Sequence, residues 1–153
     1  MSIGDYIKPE YVLLNMKAQN RHDVFAELAG CLETAGLLDK TASGVLIQKL
    51  EEREKLSTTG VGESIAIPHA SLEGFSETVI LIGVLPNGVD FASVDSQPVK
   101  VVFMIIGSQT VPRLHIQILA RIVRLCRNKD LIRKVQEAST PQEALEAIRL
   151  VDN

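Results

Sequence analysis

Two stretches of the chain, Thr78 to Leu85 and Lys100 to Ile106, are nearly unbroken in β-branched and aliphatic residues and lack the apolar/polar alternation of a strand with one wet face. Runs of that kind suit strands in a sheet covered on both sides. Each such strand then needs apolar helix faces above and below it, so the strands must be interleaved with amphipathic helices. The rest of the chain supplies them. Phe25, Leu28, Leu32 and Ala35 share one face of a helix predicted from about His22 to Leu38, which Gly36 helps to end. Thr41 is the expected cap of a second helix running to about Glu54, with Val45, Leu46 and Leu50 at helical spacing. Further helices are predicted from about Pro112 to Arg127, from about Asp130 to Ala138 and from Pro141 to Val151, the last with Thr140 and Glu143 as a capping box. A short strand is expected at Tyr11 to Leu14, and Pro86-Asn87-Gly88 reads as a turn. The predicted fold is α/β: a three-layer α/β/α sandwich whose central mixed sheet is flanked by helices on both sides.

With 153 residues the chain can bury a continuous core without disulfides or structural metal, and the expectation is a single domain over 1–153. Hydrophobic residues are 46% and aromatics only 4%, so aliphatic side chains must fill that core. The net charge of -3 gives no basic footprint for nucleic acid. Cys31 and Cys126 form no CxxC pair or metal-ligand cluster and read as buried thiols in a reducing compartment. The stretch MSIGDYIKPE has no apolar signal region, and no apolar run approaches a membrane span. A soluble, cytoplasmic protein is expected.

The chemistry-bearing residues cluster around a glycine-bearing loop, Ser57 to Gly62, and the run Ile65-Ala66-Ile67, which Pro68 stops immediately before His69. Gly60 and Gly62 would let backbone N–H groups, with those of Thr59, approach an anion closely, although a Gly-x-Gly triplet also makes an ordinary turn. His69 is placed at the carboxyl end of a strand, where open α/β sheets locate their sites, and the alternative is a surface loop histidine. His115, Leu119, Ile122 and Cys126 share a helical face, which aims the second imidazole at the sheet. Its alternative is a satisfied core histidine. Close to the helix amino terminus, the dipole would depress its pKa and keep the ring neutral. Arg53 falls near the carboxyl end of the second helix, where a guanidinium can bond the last carbonyls or hold two phosphoryl oxygens. His22 has no comparable context. Ser57, Thr58 and Thr59 lack a GxSxG elbow, and a metal site would have to rest on His69, His115 and a carboxylate of unknown position. Arg121, Arg124, Arg127 and Lys129 read as a solvated helix face.

Taken together, Arg53-Glu54-Lys55-Leu56-Ser57-Thr58-Thr59-Gly60-Val61-Gly62 and Ile65-Ala66-Ile67-Pro68-His69 resemble the signature of the enzyme IIA domains of the phosphotransferase system, fructose/mannitol type. The likeness extends through Lys8 to Met16, Asp90 to Asp95 with Pro98-Val99, Leu114-His115 with Leu119-Ala120, and the final helix. It implies that His69 is the phosphorylated histidine, His115 the second active-site histidine and Arg53 the arginine that holds the phosphoryl group. The implied donor is phosphorylated HPr or a nitrogen-related carrier, and no metal or nucleotide cofactor is needed. The overall pattern is similar to the nitrogen-related regulatory branch, which acts on transporters or signalling proteins; the alternative is a sugar-specific enzyme IIA that passes phosphate to an enzyme IIB. Ser64 and Ala70 stand where that signature commonly has glycine, which bears on the shape of the loop.

Overall fold

The computed structural model describes residues 2–152. At its centre β5 (Val79–Val89) and β6 (Val99–Ser108) run antiparallel. Successive strand side chains point to opposite faces. Leu81, Leu85, Val102, Met104 and Ile106 therefore enter one apolar cluster with α1 (Arg21–Thr34) and α2 (Lys40–Leu56). Ile80, Ile82, Val101, Phe103 and Ile105 enter another with α3 (Pro112–Cys126), α4 (Lys129–Glu137) and α5 (Pro141–Val151). Both faces of the sheet are dry, which is why the two runs show no alternation. Each fully buried Leu, Ile or Phe contributes about 1.5–3 kcal/mol of transfer free energy. The architecture is the expected three-layer α/β/α sandwich.

The sheet has six strands in the order β1 (Val12–Leu13), β5, β6, β3 (Ile65–Ala66) and β2 (Gly60–Gly62), with β4 (His69–Leu72) also paired to β6. It is mixed: β1 is parallel to β5, β3 and β4 are parallel to β6, and β2 is antiparallel to β3. The register of β3 and β4 against β6 is continuous, from Ile65 opposite Val101 to Leu72 opposite Ser108. Pro68 interrupts only the bonding, since it has no N–H to give, and its carbonyl still accepts from Ile105 at 3.0 Å.

Several local expectations need correction. Asp39, not Thr41, caps α2, its carboxylate accepting the Ala42 amide at 2.7 Å while Thr41 lies inside the first turn. Part of the supposed loop 57–62 is β2, closed onto β3 by Gly62, Glu63 and Ser64, all with positive φ (98°, 56° and 63°). Ser64 thus adopts the left-handed backbone that explains a preference for glycine there. Ala70 packs toward α1 and α2, on the face opposite His69. Pro86-Asn87-Gly88 is an irregular stretch of β5, with a register shift between Val84 and Val89, and the chain turns toward β6 only after it. The strand near Tyr11 is shortened because Pro9–Tyr11 forms a 3-10 turn. At α5, Thr140 accepts from the Glu143 amide, but Glu143 accepts from Ser139 and not from the cap residue itself. Arg121 is not part of a solvated face: its Nε donates to Asp152 at 2.7 Å. Cys126 is buried, whereas Cys31 is only half-buried.

Candidate active site

His69 opens β4; it does not close the preceding strand, and the unbroken register decides where it points. Ile65 and Ile67 face α3, so His69, two residues further along the same extended path, faces α3 as well. Its ring is half-buried, and Nδ1 lies 3.0 Å from the carbonyl of Ile67. A carbonyl can only accept, so Nδ1 carries the proton and Nε2 keeps its lone pair.

His115 comes to the same place from α3. Pro112 starts that helix, Val111 offers no side-chain cap, and the His115 amide bonds the Val111 carbonyl at 3.3 Å. The inner face of α3 is carried by Ile118, Ile122 and Cys126, with His115 and Leu119 half-buried beside it. The two imidazole rings are 5.7 Å apart between centroids and tilted by 54°. Burial, and secondarily the nearby His69, hold the His115 pKa below its ordinary value. The direction is the one expected from the helix dipole, but the larger cause is desolvation. His115 Nδ1 is buried without a hydrogen-bond partner, and a Cβ placed on Gly107 would come within 2.7 Å of it. Gly107 is what lets the ring lie directly on β6.

Arg53 sits in the last turn of α2, and its Nη1 donates to the Ser57 carbonyl at 2.8 Å. This is the cation-to-carbonyl contact available to any arginine at a helix end, and it leaves other guanidinium donors unused. The structure therefore brings His69 and His115 together and gives Arg53 a partner on its own helix end. The segment Thr59 to Gly62 is tied down internally. The Gly60 amide bonds Thr58 Oγ1 at 3.0 Å, its carbonyl accepts from Val94 at 3.2 Å, and Thr59 bonds the buried Glu54. A Cβ on Gly60 would collide with Ser93, at 2.1 Å from Oγ, so this glycine serves close backbone packing. His22 lies on α1 with its Nδ1 4.0 Å from Glu51.

Residue-by-residue reading missed Gly107 and Glu54. Each carried a signal: a glycine inside a buried strand marks a close approach, and an acidic residue in a helix's last turn opposes the helix dipole and so implies a specific partner. Among the described residues, no group of three or more His, Cys, Asp or Glu side chains is placed to hold a metal ion, and no helix is long and apolar enough to cross a membrane.

A mixed sheet between two helical layers, with the imidazoles of His69 on β4 and His115 on α3 brought within 5.7 Å of each other, defines an α/β/α protein with a two-histidine candidate site. The chain belongs to the enzyme IIA type 2 family of the phosphoenolpyruvate-dependent sugar phosphotransferase system, whose model matches residues 5–150. Phosphoryl relay is that family's general role. The chain is 34% identical to a nitrogen regulatory protein of Bradyrhizobium diazoefficiens over 98% of its own length and 96% of that protein's. It is 29% identical to the fructose-specific EIIABC component of Bacillus subtilis, matching 99% of this chain but only 24% of that longer protein. In fold it is similar to the nitrogen regulatory protein IIA-Ntr from Neisseria meningitidis, with a TM-score of 0.86, 23% identity, and coverage of 95% of this chain and 98% of that one.

Proposed function

We propose that this protein is a phosphohistidine relay in which Nε2 of His69 accepts a phosphoryl group from phosphorylated HPr or a nitrogen-related carrier. The observation that carries the reading is the pairing of a His69 ring whose Nδ1 is committed to the Ile67 carbonyl with a second imidazole 5.7 Å away. The carrier's P–N bond breaks as the bond to Nε2 forms, and the carrier's imidazole departs. One P–N bond replaces another, so neither metal nor nucleotide is required of this chain.

A neutral His115 suits the second position. Its buried Nδ1 has no acceptor, which favours the tautomer with the proton on Nε2, and that N–H can donate to a phosphoryl oxygen. Arg53, with donors to spare beyond Ser57, supplies the charge-assisted contact, and transfer is governed by positioning and electrostatics. Thr59, Gly60 and Gly62 contribute to the phosphate site by shaping its support: the Thr59 carbonyl bonds the Ile67 amide at 3.0 Å, just ahead of His69.

The role we favour is that of a nitrogen-related regulatory enzyme IIA in the cytoplasm, changing its hold on a transporter or signalling protein with phosphorylation. The 34% identity to a nitrogen regulatory protein over 96% of that protein's length supports it. The second reading, a sugar-specific enzyme IIA that hands phosphate to an enzyme IIB, is supported by the match of 99% of this chain to a part of a fructose-specific EIIABC component. Incubation with phosphoenolpyruvate, enzyme I and each carrier, followed by mapping of the acid-labile label, tests the acceptor. Label is expected on His69 and absent from His69→Ala; a fully labelled His69→Ala protein refutes the assignment. Onward transfer to an enzyme IIB with sugar phosphorylation separates the second reading from the first.

A further inference from the structure

Glu54 lies in the last turn of α2, where exposed helix carbonyls disfavour negative charge, and its side chain is fully buried. A carboxyl group in such a place requires strong partners. It finds them in Thr59, whose amide lies 3.1 Å from Oε2 and 3.3 Å from Oε1, and whose hydroxyl donates to Oε1. Arg21 is further off, 3.9 Å from Glu54 Oε2, and is engaged with Glu51 at 3.0 Å. The bonding then continues toward the site. The Thr59 carbonyl accepts the Ile67 amide at 3.0 Å, and the Ile67 carbonyl meets His69 Nδ1 at 3.0 Å. Pro68 restrains the Ile67 peptide from its other side, since a residue before proline is confined to extended backbone.

We propose that Glu54 is a positioning residue for the nucleophile: through Thr59 it holds the Ile67 carbonyl in the orientation that keeps the His69 proton on Nδ1 and presents Nε2 outward. The inference rests on the reading of His69 as phosphoryl acceptor. Glu54 touches no reacting atom. Its effect passes along three short hydrogen-bonded steps, Glu54 to Thr59, Thr59 to Ile67 and Ile67 to His69, so a loosened Thr59 releases Ile67 and lets the ring rotate. A carboxylate that merely tied α2 to β2 would alter the melting temperature and leave the His69 tautomer alone.

Nitrogen-15 NMR of the ring nitrogens, with the imidazoles neutral, reads the tautomer in the unphosphorylated protein. Wild type is expected to show His69 almost wholly as the Nδ1–H form. Glu54→Ala is expected to mix in the Nε2–H form and to slow phosphoryl uptake from the carrier about tenfold. Glu54→Gln should recover most of both, because its amide oxygen still accepts from Thr59. A folded Glu54→Ala protein with the wild-type tautomer and rate overturns the proposal. Where Glu54→Ala does not fold, Thr59→Val, which keeps the backbone links and loses the hydroxyl, is read in the same way: a partial tautomer shift with slower uptake supports it, and wild-type values overturn it. The NMR arm needs no phosphoryl transfer. A wild-type protein that takes no label would therefore sink the functional reading while the tautomer still decides the role of Glu54.

Discussion

The contact between Gly107 and His115 offers a perturbation whose size can be worked out. In Gly107→Ala the new methyl would stand 2.7 Å from His115 Nδ1, whereas ordinary contact begins near 3.4 Å, so the ring must withdraw by about 0.7 Å. Both sides of the contact are rigid, because Gly107 is in β6 opposite Ser71 and His115 is mounted on α3 over a packed face. A misplacement of ~1 Å can cost up to ~100-fold in rate, so a shift of this size predicts phosphoryl uptake slower by about 10–50-fold. Stability should change less. Crowding costs about 1–3 kcal/mol, and alanine returns about 0.5–1 kcal/mol of the backbone entropy that glycine loses, for a net destabilisation of roughly 0–2.5 kcal/mol. Rapid-quench transfer from the phosphorylated carrier gives the rate, and urea unfolding gives the stability. In a His115→Ala background the Gly107→Ala effect on rate should vanish, since the ring it displaces is gone. A folded Gly107→Ala protein with a rate within about twofold of wild type would refute the argument that this glycine seats the second imidazole.

Arg53→Ala is expected to slow uptake by about 10–100-fold, the equivalent of losing about 1.5–3 kcal/mol of charge-assisted bonding, read in the same rapid-quench assay; an unchanged rate would reduce Arg53 to a helix-end contact. The His115 pKa, followed by NMR titration, should rise in His69→Ala because the neighbouring ring's repulsion is removed, yet stay below the ordinary value because burial, the larger cause, remains. Since His115 is harder to protonate folded than unfolded, it also removes stability as pH falls from the ordinary imidazole pKa toward its own lowered one. Asp152→Ala should cost about 3 kcal/mol in urea unfolding, because the buried carboxylate accepts from Arg121, Ser2 and the Ile3 amide. Burial alone would raise the Asp152 pKa, but those hydrogen bonds outweigh it and lower it. The stability it contributes is thus present above the ordinary carboxylate pKa and lost as pH falls through the lowered one, a loss that Asp152→Asn should not show.

What could be read from residue order alone was what depends on local periodicity. The dry strands β5 and β6, the spans of the five α-helices and most of the apolar faces of α1, α2 and α3 follow from which side chains recur at periods of 2 and 3.6, although Ala35 and Val45, read onto those faces, are exposed. Features set by competition between nearby groups were less legible. Asp39 displaced Thr41 as a cap because both are competent and only the chain's path decides where the helix begins; beginning it at Lys40 brings the Asp39 carboxylate to the Ala42 amide. Pro86-Asn87-Gly88 has turn composition, but its antiparallel partner in β6 resumes pairing at Val89, so tertiary pairing overrode local preference. Arg121 looked solvated because its partner, Asp152, is remote in sequence.

The site shows the same division one level deeper. The amino-acid types at positions 69 and 115 suggest chemistry, yet their meeting depends on the register that carries Ile65–Ala66 past Pro68 into His69–Leu72 without a slip. A one-residue slip would send His69 to the α1 and α2 face, where Ala70 now packs, and His115 would face a strand with no imidazole on it. The small residues that guard this geometry announce nothing about chemistry by themselves. Gly107 admits the His115 ring, Gly60 admits Ser93, and the positive-φ turn through Ser64 closes β2 onto β3 so that Thr59 reaches Ile67. Substituting any of them keeps every chemistry-bearing residue in the sequence and alters how their side chains meet. Rate losses without proportionate stability losses at these positions are therefore the mark that separates an assembled site from a coincidence of histidines.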